Sequence, residues 1–189
     1  MKKRRNSHKK IYEIIGVLFL FITMGIIVKA FFQPPSVEEI STGKEEDFYE
    51  HLASIAQSTG KKYNLFPSVI LAQAALESGY GKSQLAREYH NLFGVKATTS
   101  SSVTLSTTEV EDGNKVKIQG KFQTYPSIKA SFKAYGKLVG TAPRYERVRM
   151  ANSPEEAAHA LYQCGYSTNP NYGNMIIKII ERDNLKKYD

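Results

Sequence analysis

From Ile14 to Val28 the chain reads IIGVLFLFITMGIIV, and after Lys29 the apolar character resumes with Ala30, Phe31 and Phe32. A soluble surface helix needs a polar stripe, and this segment has none. Fifteen positions alone fall short of the roughly 20 that cross a bilayer. Lys29, whose ammonium can snorkel, and the three residues after it extend the run to 19. The pattern therefore predicts a transmembrane signal-anchor over residues 12–32. Lys2, Lys3, Arg4, Arg5, Lys9 and Lys10 precede it, so residues 1–11 are expected to be a cytoplasmic tip and everything beyond the span extracytoplasmic. A signal peptide cleaved near Ala30 is the rival, suggested by the small-residue pattern Val28, Lys29, Ala30. The apolar run already reaches the upper limit of about 15 residues for such a peptide and continues past it, which favours the anchor.

Residues 33–44, QPPSVEEISTGK, have the Pro, Gly and polar content of a semi-rigid linker. A body over 45–189 follows. Phe48, Leu52, Ile55 and Ala56 recur at helical spacing in Glu45–Ser58, with Gly60 as the expected stop. Pro67 suits the first turn of a second helix, apolar nearly all round from Val69 to Leu76, which Gly79 and Gly81 should end. The period then changes. VTLSTTEV and KVKIQGKFQTY alternate about the pair Asp112-Gly113, a hairpin signal. Helices resume after Ser127, with Ile128, Phe132, Tyr135 and Leu138 in phase. Ser153, Pro154 and Glu156 should open another, closed by Gly165, and Asn169 with Pro170 the last, through Ile176, Ile177, Ile179 and Ile180. This order predicts an α+β domain: a mainly helical lobe and a small β-hairpin lobe flanking a groove.

Composition supports a folded body, and charge changes one conclusion. The chain of 189 residues carries a formal +8, but +6 of it lies before residue 30. A nearly neutral body has no one-faced basic footprint, which excludes nucleic acid as a partner. Cys164 is the single cysteine, so no intramolecular disulfide, Cys-rich zinc site or CxxC pair is available; it is expected in the core. His51, His90 and His159 lack metal-ligand spacing and His8 lies in the tail; GxSxG and P-loop motifs are absent. Neither a metal nor a cofactor is expected.

The chemistry concentrates in AQAALESGYGKS, residues 72–83. Glu77 ends a helix whose preceding turns are apolar and sits at its negative dipole end; both effects disfavour the ionised carboxylate. A carboxyl protonated near neutrality is what a general acid requires. On the hairpin, Glu109 and Glu111 alternate onto one face beside Asp112. One carboxyl on a helical floor and another on a hairpin match glycoside hydrolysis, in which an acid protonates the leaving group and a second group works from the opposite face. Tyr80, Phe93, Tyr125 and Tyr172 are the aromatics placed to line such a groove.

ALESGYGKS at 75–83, NLFGVKA at 91–97, TTEVEDG at 107–113, KFQTYPSIKASF at 121–132 and GYSTNPNYGNMI at 165–176 follow one another as in glycoside hydrolase family 73. The chain resembles these bacterial peptidoglycan endo-β-N-acetylglucosaminidases over about residues 45–185. The resemblance implies a lysozyme-like fold and cleavage of the β-1,4 bond after N-acetylglucosamine in cell-wall glycan strands. It also implies Glu77 as the catalytic acid, Glu109 as the hairpin glutamate with Glu111 as the alternative, and Tyr172 at the catalytic centre. Tyr80, Asn91, Phe93 and Tyr125 are expected in substrate binding. The family often has Trp where Tyr80 stands and Arg where Gln123 stands. The expected partners are glycan strands and, through the N-terminal helix, the cytoplasmic membrane. A muramidase or lytic transglycosylase on the same fold is the alternative chemistry, and a non-catalytic wall-binding module the alternative class.

Overall fold

The computed structural model describes residues 43–111 and 114–189, with side chains described outside 43–44, 107–111 and 114–118. The expected tip, the membrane span, nearly all of the linker and the Asp112-Gly113 turn lie outside the described residues.

Helix α1 spans Gly43–Tyr63, α2 Pro67–Ser78 and α3 Gln84–Tyr89. Strands β1 (Ser102–Glu111) and β2 (Asn114–Gln123) form the antiparallel hairpin. Helices α4 (Ile128–Thr141), α5 (Glu146–Arg149), α6 (Pro154–Gln163) and α7 (Tyr172–Arg182) follow, with single 3-10 turns at Pro143–Tyr145 and Leu185–Tyr188. The architecture is the expected α+β arrangement.

The core forms around α2, buried continuously from Ser68 to Ala75. Tyr49, Leu52 and Ala56 of α1 pack into the same cluster, as do Phe132, Tyr135 and Val139 of α4, Leu161 of α6, and Ile176 and Ile180 of α7. Pro67 occupies the first turn of α2, and Gly79 ends it in the left-handed conformation, φ 58°, which an unbranched backbone adopts without strain. The N-terminus of α2 is capped from a distance. Asp189 Oδ1 accepts from the Ser68 N–H at 2.8 Å and Oδ2 from the Ser68 hydroxyl at 2.7 Å. Ser127 and Ser153 cap α4 and α6 as their sequence positions suggest, accepting from the N–H groups of Ala130 and Glu156.

Three boundaries differ from the sequence pattern. Gly60 lies inside α1; the helix continues to Tyr63 and turns at Asn64, φ 54°, while Leu65 N–H returns to Gly60 O at 3.1 Å. A single glycine costs only about 1 kcal/mol in a helix, less than the tertiary contacts around it supply. Asn169 does not cap α7. Its Oδ1 accepts from Asn171 N–H at 2.9 Å, a local turn that delays the helix to Tyr172. Cys164, expected in the core, is half-buried at the end of α6.

The hairpin register pairs Glu109 with Val116 and Glu111 with Asn114, leaving two residues for the turn, so both glutamates hold same-face positions on β1. Its base is tied to the chain after α3 by Asn91, which donates to the Gln123 carbonyl at 2.9 Å, while the buried Gln123 amide bonds Thr99 and the Ser101 carbonyl in the segment leading into β1.

Candidate active site

Glu77 lies one residue before the end of α2, half-buried, with Tyr172 bonded to its carboxyl and Tyr135 and Tyr166 close enough to interact with it electrostatically. Its Oε1 accepts a hydrogen bond from the Tyr172 hydroxyl at 2.7 Å. Oε2 makes no protein hydrogen bond among the described residues. Burial pushes the carboxyl up to about 7, against the pull of the Tyr172 hydrogen bond, which favours the charged form. The group is therefore poised between acid and carboxylate at neutral pH.

Tyr172 is the first residue of α7 and is 3% exposed. Its ring stacks on Tyr166 at 5.8 Å and 26°. Its position depends on close helix packing. At Gly173 a Cβ would stand 2.5 Å from His159 Nδ1 and 3.1 Å from its Cα, so only glycine lets α7 start this near α6. Behind Tyr172 the polar contacts continue inward. Gln73, one turn before Glu77 on α2, donates to the Tyr172 oxygen at 3.0 Å, and Tyr135 of α4 donates to the Gln73 carbonyl oxygen.

The other anticipated positions separate. Tyr125, at the foot of the hairpin, is half-buried, holds Tyr89 O through its N–H at 3.0 Å, and its phenol is pushed up to about 12 by burial. It interacts electrostatically with Tyr166, which in turn interacts with Glu77, so Glu77, Tyr172 and Tyr125 share one neighbourhood. Tyr80 belongs elsewhere. Its ring meets Phe48 and Tyr49 edge-on at 5.9 and 6.2 Å, and its hydroxyl accepts from Arg182, about 15 Å along α7 from Tyr172. Its φ of 57° is uncommon for a non-glycine residue, and these contacts hold it there.

Asn91 and Phe93 correct the expectation that they line the groove. Asn91, 1% exposed, donates to Val95 O and Gln123 O, both at 2.9 Å, and accepts from Val95 N–H at 3.0 Å; it joins the chain after α3 to the hairpin base. Phe93, 3% exposed, stacks on Tyr135 at 4.2 Å and 19°. Neither offers surface to a sugar; each supports what lies beside it. For Glu109 and Glu111 the structure gives strand register alone.

Gln73, Tyr135 and Tyr166 were not anticipated at this site. One signal pointed to Gln73: it is the single polar side chain within VILAQAAL and lies four residues before Glu77, on the same helix face.

A mainly helical body with a small hairpin, enclosing a carboxyl held near neutrality, defines a lysozyme-like glycoside hydrolase. Comparison with known proteins supplies the family. Residues 53–185 match the family described as mannosyl-glycoprotein endo-beta-N-acetylglucosaminidase, and the chain belongs to this glucosaminidase family of peptidoglycan hydrolases. It is 35% identical over its full length to the exo-glucosaminidase LytG of Bacillus subtilis, spanning 68% of that protein. It is 33% identical over its full length to a probable N-acetylmuramidase of Lactococcus lactis, of which it spans 45%. Among solved structures, the glycoside hydrolase domain of Salmonella typhimurium FlgJ superposes with a TM-score of 0.61 at 37% identity, covering 73% of this chain and 96% of that one.

Proposed function

We propose that the chain is a membrane-tethered endo-β-N-acetylglucosaminidase that cuts the β-1,4 bond after N-acetylglucosamine in peptidoglycan, with Glu77 as general acid. The observation that carries this reading is the state of the Glu77 carboxyl. Burial holds it near 7, Tyr172 occupies Oε1, and Oε2 remains for a substrate oxygen. As the glycosidic bond lengthens, Glu77 delivers its proton to the leaving oxygen and becomes a carboxylate that the Tyr172 hydroxyl stabilises. Positive charge develops at the sugar's anomeric carbon. A hairpin carboxylate, Glu109 by its family position, opposes that charge or activates water from the other face; failing that, the substrate's 2-acetamido group attacks.

The relatives' names divide between endo- and exo-glucosaminidase and muramidase, so products decide the specificity. Purified peptidoglycan is digested with the full chain in detergent and the new ends are read by mass spectrometry. Internal cuts with reducing N-acetylglucosamine are expected. Reducing or anhydro muramic acid would replace the reading with muramidase or transglycosylase chemistry; monomeric sugar released from chain ends would make it an exo-enzyme. Binding without new ends would leave a wall-binding module. Glu77→Gln should lower turnover by roughly 10² to 10⁴ in a folded protein, and Glu109→Gln by at least about tenfold, more than Glu111→Gln.

The tether is a reading of residues 1–32. The full-length protein should stay with membranes through a high-salt wash, its body open to protease added to spheroplasts. A soluble species beginning at Phe31 would replace the anchor with a cleaved signal peptide.

A further inference from the structure

Four side chains from three helices form one directed chain of hydrogen bonds. Tyr135 donates to Gln73 Oε1, Gln73 Nε2 donates to Tyr172, and Tyr172 donates to Glu77 Oε1. Gln73 is fully buried and Tyr135 is 1% exposed, so neither has surface to offer a substrate.

We infer that Gln73 and Tyr135 are positioning residues that set the direction of this chain and so confine the acid proton of Glu77 to Oε2. The inference rests on Glu77 being the general acid.

An amide has a donor end and an acceptor end, and turning it over reverses every bond beyond it. As observed, the Gln73 N–H engages the Tyr172 oxygen, leaving the phenolic hydrogen to point at Glu77 Oε1. Oε1 is thereby occupied as an acceptor, and a proton on Glu77 resides on Oε2. With the amide reversed, Gln73 Oε1 would draw the Tyr172 hydrogen inward. A lone pair would then face Glu77, and the acid would donate its proton into the protein, away from any leaving oxygen.

Tyr135 decides between these states. Gln73 Oε1 is the acceptor its hydroxyl uses. Reversal would place an N–H there and strand the buried phenolic hydrogen without an acceptor. The Tyr135 ring cannot turn aside, being stacked on Phe93 at 4.2 Å and edge-on to Tyr166 at 6.3 Å. This gives Phe93 a place in the arrangement without contact to substrate.

Among the described residues, the titratable groups facing Glu77 are Tyr172 from α7, Tyr166 from the segment before it and Tyr135 from α4. Burial raises all three phenols, so among the described residues Glu77 alone in this cluster titrates near neutrality.

The test is Tyr135→Phe in the full chain, a change of one oxygen two hydrogen bonds from Glu77. Freed from its lock, the amide turns so that its carbonyl takes the Tyr172 hydrogen. The carboxylate loses its donor and the acid proton turns inward. The pH profile of kcat/KM should show a lower plateau, at least about tenfold, and an alkaline limb displaced upward. Tyr135→Phe combined with Gln73→Met removes the competing carbonyl, so Tyr172 donates to Glu77 again. The double variant should recover the wild-type limb and most of the plateau, an outcome a simple packing role would not give. Thermal melting of each variant establishes that it is folded; if Tyr135→Phe does not hold its fold, Tyr135→Met removes the same hydroxyl and takes its place in the comparison with the double variant. A folded Tyr135→Phe with the wild-type profile, or a double variant displaced or as impaired as the single, would overturn the inference. Glu77→Gln is run alongside: wild-type turnover there would remove the acid assignment itself and the inference with it.

Discussion

A buried carboxyl that titrates near 7 works against the folded state whenever it is charged. Below about 4.5 Glu77 is protonated in both the folded and unfolded chain and contributes nothing. Between 4.5 and about 7 the folded state keeps a proton that the unfolded state releases, so stability falls as pH rises. Above 7 the full difference applies, on the order of 3 kcal/mol. Glu77→Gln keeps an oxygen to accept from Tyr172 and removes the charge. This variant should therefore be more stable than wild type at pH 8 and no more stable at pH 4, as read from urea midpoints at both pH values. Equal differences at the two pH values would mean that the carboxyl is not raised. The residue proposed as general acid is thus held by a fold that would be firmer without it.

At the scale of elements, the approach of α7 to α6 sets the position of Tyr172. Gly173→Ala would press its methyl against His159 and push the first turn of α7 away, costing about 1–3 kcal/mol and lowering the melting temperature by several degrees. Adding His159→Ala relieves the side-chain part of the clash, and a double-mutant cycle should show positive coupling; strict additivity would place the strain elsewhere. The helices were legible where punctuation and packing agree, as at Pro67, Gly79, Ser127 and Ser153. Gly60 and Asn169 misled because each carries a strong local signal that long-range packing or a local turn supersedes. Glu77 was legible from its apolar run and Tyr172 from family resemblance. The Gln73 relay was not, because its bonds join residues 62 and 99 positions apart on helices whose packing no local pattern specifies.

For the whole molecule, the helix that carries Glu77 is fastened at its far end by Asp189. Asp189→Ala should cost about 0.5–2 kcal/mol through loss of the cap, measured by denaturant unfolding. The α2 helix is about 18 Å long, so turnover per folded molecule at low temperature should be unchanged. A fall in turnover without loss of stability would show that the cap acts on the site rather than on the fold. The same contact orders events during synthesis. Ser68 waits 121 residues for its partner, so a nascent chain emerging from the ribosome makes its central helix early and holds it uncapped until residue 189 is free. A chain stalled or truncated before residue 189 would carry this helix without its distant fastening.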